Sequence, residues 1–154
     1  MKTVSIVYSS VGGNTKLVCD MVQQTLQLEH IEVEMIECQT ANLTSLSPRD
    51  IIILACPTYG QGTIETDFSA FLALISSQNW SNQAFAVIGL GDIKYYPEYL
   101  TEAAGLLAQW VTDQQGKLIV PPLRLGQPPL KFLNSMVKKW AEKLAEEILN
   151  QPQI

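Results

Sequence analysis

The chain has 154 residues, 47% of them apolar and 16% charged, with a net charge of −5; this is enough for one hydrophobic core and too apolar for a disordered chain. Twelve acids and only four bases precede Lys117, whereas six bases and three acids lie from there on, so the acidic major part disfavours nucleic acid and favours a partner with a basic surface. No uninterrupted apolar stretch spans a bilayer, Cys19, Cys38 and Cys56 lack C-x-x-C spacing and His30 stands alone, which argues against membrane insertion, a disulfide framework and a metal site.

Met1-Lys2 leads straight into Thr3-Val4-Ser5-Ile6-Val7-Tyr8, an apolar run that reads as a buried strand, with no small-residue cleavage site before it. A cytoplasmic protein is expected. Ser9-Ser10-Val11-Gly12-Gly13-Asn14-Thr15 follows, and then a helical pattern with Leu17, Val18, Met21, Val22 and Leu26 on one face. A strand that passes through hydroxyls and glycines into a helix is a phosphate-binding layout. Ser10, Asn14 and Thr15 offer side-chain donors, the glycines let backbone N–H groups approach closely, and the helix N-terminus adds partial positive charge. A Walker A loop is excluded because Lys16 follows Thr15 and precedes Leu17. A dinucleotide fingerprint would need three spaced glycines, and Glu37 reads as a solvated strand end. The plain alternative is a Gly/Asn turn that only caps the helix.

Ile31 to Ile36 alternates as a half-exposed strand, and Ile51-Ile52-Ile53-Leu54-Ala55 is a continuous apolar run suited to a central parallel strand. The link between them holds one helical turn at most. Phe68, Phe71, Leu72 and Ile75 mark a helix, Phe85 to Leu90 a buried strand, and Leu100, Ala103, Ala104, Leu107, Trp110 and Val111 a helix that stops before Gly116. Lys117 to Val120 reads as the last strand. Pro128-Pro129 opens a C-terminal helix whose apolar face carries Phe132, Leu133, Met136, Val137, Trp140, Leu144 and Ile148. Strands alternating with helices imply an α/β fold: one domain over 1–154, a five-stranded parallel sheet of order 2-1-3-4-5 covered on both faces, and ligands at the carboxyl ends of the strands.

That placement selects two more loops. Cys56-Pro57-Thr58-Tyr59-Gly60-Gln61-Gly62-Thr63-Ile64-Glu65-Thr66-Asp67-Phe68 sets an aromatic beside two glycines, and Gly89-Leu90-Gly91-Asp92-Ile93-Lys94-Tyr95-Tyr96-Pro97-Glu98-Tyr99 sets several tyrosines after a Gly-x-Gly turn. The first places a ring where a planar ligand could be stacked, although a turn tyrosine often only covers the edge of a core. A receiver domain shares the strand order but needs acids where this chain has Tyr8-Ser9 and Ala55-Cys56. Cys56 reads as a small buried residue and His30 as a solvated turn residue.

The three loops together resemble those of the flavodoxins. Ser10 to Thr15 is similar to their S/T-x-T-G-N-T phosphate loop, with Val11 and Gly12 where the family carries hydroxyls. Cys56 to Phe68 is similar to C-P-T-W-x-x-G-E-L-x-x-D-W/F, with Tyr59 in the tryptophan position, and Gly89 to Asp92 to the G-x-G-D of the second flavin loop. Counting from Asp92 selects Tyr95 as the tyrosine on the outer flavin face; aligning Glu102-Ala103 and Gly105 selects Tyr96. The chain has short-chain length with long-chain-like flavin loops.

The resemblance implies a flavodoxin-like three-layer sandwich that binds FMN through Ser9, Ser10, Val11, Gly12, Gly13, Asn14, Thr15, Pro57, Thr58, Tyr59, Gly60, Gln61, Gly62, Leu90, Gly91, Asp92, Tyr95, Tyr96 and Tyr99, with no catalytic residue and no metal. It implies a soluble low-potential one-electron carrier that cycles through a neutral semiquinone, the Gly60-Gln61 peptide turning its carbonyl toward the flavin. Glu65, Asp67, Asp92 and Glu98 are expected around the flavin edge. Its partners would be a basic-surfaced flavodoxin or ferredoxin reductase and acceptor redox enzymes, met transiently by a monomer. An FMN-dependent NAD(P)H or quinone oxidoreductase, and a flavoprotein dedicated to one enzyme, are the alternatives on the same fold.

Overall fold

The computed structural model describes residues 1–9, 12–46, 49–59, 63–91, 102–126 and 128–152. In chain order these form β1 (Thr3–Tyr8), α1 (Asn14–Leu28), β2 (Glu32–Glu37), the single turn α2 (Leu43–Leu46), β3 (Ile51–Tyr59), β4 (Thr63–Ile64), α3 (Thr66–Ile75), β5 (Ala84–Leu90), α4 (Glu102–Asp113), β6 (Lys117–Leu118), β7 (Leu123–Leu125) and α5 (Lys138–Leu149). The sheet order is β2-β1-β3-β5-β6, with β7 also on β5, and all of these pairings are parallel. This is the 2-1-3-4-5 arrangement expected of the alternating pattern, with β5 as its fourth strand.

Successive side chains of a strand point to opposite faces, so β3 feeds two cores at once. Ile51 and Ile53 join Val4, Ile6 and Ile88 beneath Val18, Val22 and Leu26 of α1 and Leu144 and Ile148 of α5. Ile52 and Leu54 join Val7, Phe85 and Val87 beneath Phe68 and Phe71 of α3 and Leu107 and Val111 of α4. With helices on both faces every position of such a strand is buried, and its sequence is a continuous rather than an alternating apolar run.

Three expectations need correction. The last strand is not one run from Lys117 to Val120: β6 pairs with Ala84 and Phe85, β7 pairs with Ile88 to Leu90, and Pro121 and Pro122 between them have no N–H to give to the ladder. The stretch after Tyr59 is not only a loop, because β4 folds back antiparallel on the end of β3, pairing Thr58 with Ile64 and Tyr59 with Thr63. The C-terminal helix begins as a 3-10 turn (Pro129–Phe132) and a π turn (Leu133–Val137) before α5. A π turn takes in an extra residue, which rotates the apolar stripe. Val137 is therefore fully buried, whereas Met136 is 46% exposed.

Candidate functional site

The carboxyl ends of β1 and β3 lie side by side, with Tyr8 opposite Ala55 and the Ser9 amide donating to the Ala55 carbonyl at 3.1 Å. From β1 the chain turns through Gly12 and Gly13, at φ +83° and +88°, into α1. Those angles suit glycine, and among the described residues, chain neighbours apart, no atom lies within 4 Å of where either Cβ would stand. Gly13 is the N-cap of α1, it has no side chain with which to cap that end, and no acid sits in the first turn. A helix start with a glycine cap and no acid in its first turn fits an anion. Asn14 is exposed there and Thr15 is buried.

Ser9 plays a different part from the one its sequence suggested. It is 3% exposed, and its hydroxyl donates to Glu65 Oε2 at 2.5 Å. With its N–H already given to Ala55, both of its donors are committed within the protein. Ser9 therefore supports the loop from behind, through its hydroxyl on Glu65.

Glu65 is likewise displaced from the exposed edge where it was expected. Only 5% exposed, it is the N-cap of α3: Oε1 accepts from the Asp67 amide at 3.0 Å and Oε2 from the Phe68 amide at 3.1 Å. Burial pushes its carboxyl up, but the Ser9 hydroxyl and the two amides together outweigh this and hold it below the ordinary carboxylate range. Asp67 is exposed and accepts from Gln39 Nε2 at 3.0 Å.

Between these groups the end of β3 carries Pro57, Thr58 and Tyr59, all half-buried. Thr58 Oγ1 accepts from the Ala103 amide at 3.0 Å, which satisfies one orphan donor in the first turn of α4 and leaves the hydroxyl proton for another acceptor. The Tyr59 carbonyl accepts from Thr63 Oγ1 at 2.9 Å, pinning the β3–β4 hairpin. Burial first, then the charges of Glu65 and Asp67, raise the Tyr59 phenol. On the next strand Leu90 is a buried core residue, and the Gly91 amide is taken by the Leu125 carbonyl at 2.8 Å. Neither the Leu90 side chain nor the Gly91 N–H is left to face a ligand. Ser10, Val11, Gly60, Gln61, Gly62, Asp92, Tyr95, Tyr96, Glu98 and Tyr99 lie outside the described residues.

The thiols are not poised for chemistry. Burial, then Glu65, pushes Cys38 up to about 11, and burial raises Cys19 and Cys56 further. Sequence reasoning named Glu65 and Thr58 but missed the hydrogen bonds they make. Glu65 is not one of the usual capping types, so position alone did not mark it as a cap. The Thr58 bond reaches an amide 45 residues away, which no local pattern records.

The family model of the flavodoxins matches residues 6–140. The chain belongs to the flavodoxin family. Among curated flavodoxins it is 25% identical to that of Klebsiella pneumoniae, over 96% of each chain, and 25% identical to probable flavodoxin 2 of Bacillus subtilis, over 84% of this chain and 85% of the other. Among solved structures it is similar to a short-chain flavodoxin associated with a non-canonical PDU bacterial microcompartment (TM-score 0.85, 20% identity, 97% of each chain). It is also similar to oxidised flavodoxin 1 of Bacillus cereus (TM-score 0.82, 21% identity, 99% of this chain and 100% of the other). At such identities these structures speak to the fold. Family membership makes this flavodoxin an FMN-binding electron carrier. The positive-φ turn at Gly12-Gly13 before an acid-free helix start fits the FMN phosphate, and the half-buried Tyr59 one strand away fits its ring. Among the described residues no helix is long and apolar enough to cross a membrane.

Proposed function

We propose that this flavodoxin is a low-potential carrier of single electrons, a cytoplasmic monomer of one domain over 1–154 that meets a basic-surfaced flavodoxin or ferredoxin reductase and acceptor redox enzymes in turn. The observation that carries the reading is the glycine-capped, acid-free start of α1 behind Gly12 and Gly13, set beside Tyr59 at the ends of adjacent strands. When bound, FMN supplies the redox chemistry, taking up and releasing one electron at a time. The chain's own work is binding and orientation. Backbone amides from Gly12 to Thr15, with Ser10 and Val11 before them, take the phosphate. Tyr59 and one of Tyr95 or Tyr96 take the two ring faces, with Tyr99 nearby, and Thr58, Gly60, Gln61, Gly62 and Asp92 line the ring edge. The acidic part of the chain steers the exposed edge toward basic partners.

Anaerobic reduction of the FMN-loaded protein tests this. A carrier accumulates a blue one-electron-reduced form and does not oxidise NAD(P)H by itself. Rapid two-electron turnover with NAD(P)H would instead make it an oxidoreductase.

A further inference from the structure

Glu65 is a buried carboxylate with no basic side chain in ion-pair range among the described residues. It is held by three donors, and these come from two different parts of the site. Oε1 and Oε2 cap α3 through the Asp67 and Phe68 amides. Oε2 also takes the hydroxyl of Ser9, the residue that leads from β1 into the phosphate loop. Glu65 itself directly follows β4, the return strand of the hairpin that carries Tyr59. One carboxylate thus joins the root of the phosphate loop to the root of the ring-binding hairpin, across 56 residues of chain. An ionised carboxylate offers about four acceptor sites, so the same group serves both roots without giving up either. A hydroxyl donating to a carboxylate is a charge-assisted bond, roughly twice as strong as a neutral one, and this one is excluded from competing water.

We propose that Glu65 is a positioning residue that couples the phosphate and ring subsites through the Ser9 hydroxyl, so that filling one subsite tightens the other. The inference rests on the FMN site proposed above. An anion seated at the start of α1 fixes the chain between Ser9 and Asn14; that fixes the Ser9 hydroxyl on Glu65, and a fixed Glu65 holds α3 and the hairpin in the arrangement that receives the ring. Coupling of this kind is reciprocal and commonly amounts to fivefold or more. Glu65 touches no ligand in this scheme, and its effect passes wholly through Ser9 and the start of α3.

The two subsites can be probed separately with the cofactor-free protein, inorganic phosphate for one and riboflavin, which lacks the phosphate, for the other. The riboflavin dissociation constant is measured by fluorescence quenching without and with saturating phosphate. Wild type is expected to bind riboflavin about fivefold tighter or more with phosphate present. Ser9→Ala removes the link but leaves the α3 cap in place, and Glu65→Gln keeps the shape while removing the charge. Each is expected to bring the ratio to about one, and the double variant to change it no further. Thermal unfolding of each protein, recorded alongside, separates this loss from a general loss of stability, which by itself would not equalise the two riboflavin constants. A wild-type ratio in folded Ser9→Ala, or a ratio of one in a wild type that binds FMN, overturns the coupling. A wild type that binds neither FMN nor riboflavin overturns the FMN site itself, and the coupling with it.

Discussion

Gly89 of β5 lies directly under Ala104 of α4: a Cβ built on Gly89 would stand 2.3 Å from the Ala104 amide nitrogen and 2.5 Å from its Cβ. The Gly89 backbone conformation is one that any residue adopts, so the glycine is there for space. It lets α4 settle onto the sheet where Thr58 receives the Ala103 amide. Because the obstructing atoms are helix backbone, Gly89→Ala is expected to destabilise the fold by about 1–3 kcal/mol or more. It should also weaken FMN binding, because the start of α4 must move. Urea unfolding with and without FMN measures both effects.

The fold was largely legible because two signals agreed, continuous apolar runs for strands buried on both faces and helical periodicity for the layers that cover them. The failures have specific physical causes. Pro121 and Pro122 split the last strand although their neighbours are apolar, and the π turn at Leu133–Val137 shifts Met136 outward against a helix period that reads correctly on either side. In the site, Gly12 and Gly13 were recognisable from composition and position. Ser9, Glu65 and Thr58 were named from the sequence but their hydrogen bonds were not, since bonds spanning 45 and 56 residues leave no trace in local spacing.

His30 tests how the first helix ends. Its φ is +60°, its amide donates to the Gln27 carbonyl at 3.0 Å, and the Ile31 amide donates to the Leu26 carbonyl at 3.2 Å. This is the left-handed cap that usually carries glycine. His30 is exposed and stands at a turn, so relieving its backbone strain removes nothing from the core. His30→Gly is expected to raise stability by about 0.5–1 kcal/mol, read as a higher urea midpoint at unchanged slope.

Acid should act through Glu65. Its folded carboxyl titrates below the unfolded value because the Ser9, Asp67 and Phe68 donors outweigh its burial. The groups that feel its charge, Cys38, Cys56 and Tyr59, are neutral acids, and Asp67 is a carboxylate on the same helix. None supplies a compensating cation. The stability it contributes is present above the unfolded carboxyl pKa of about 4.3 and is lost as pH falls through the lower folded value. Between about pH 5 and 3 the unfolding free energy of wild type should therefore fall more steeply than that of Glu65→Gln. Parallel slopes would remove Glu65 from the acid transition.

Tyr59 is the described aromatic that we propose meets the ring. It stands at the end of β3, half-buried, with its carbonyl fixed by Thr63 Oγ1. Aromatic stacking contributes about 0.5–1.5 kcal/mol beyond area burial, so Tyr59→Ala should weaken FMN binding by up to about tenfold. The electron-rich ring also disfavours added negative charge on a ring against it, so the second reduction potential should rise. Potentiometric and fluorescence titrations of the variant read the two effects. If both stayed at wild-type values, Tyr59 would not be a stacking residue.

Gly13 offers the sharpest test of the phosphate assignment, because its substitution fails for a reason opposite to that at Gly89. Among the described residues, chain neighbours apart, no atom lies within 4 Å of a Cβ there, but its φ of +88° is strained for any other residue. Gly13→Ala should therefore cost about 1–2 kcal/mol of conformational energy without any clash. The added methyl also enters the space in front of the α1 amides, where the phosphate is placed. One charged hydrogen bond is worth about 1.5–3 kcal/mol, so losing a single amide contact there should lower FMN affinity about tenfold or more. Riboflavin carries no phosphate, and its affinity should change much less. Fluorescence titration of Gly13→Ala with both ligands separates the two contributions: an equal loss for FMN and riboflavin would mean that the strain spreads through the whole site, and that the phosphate is held elsewhere.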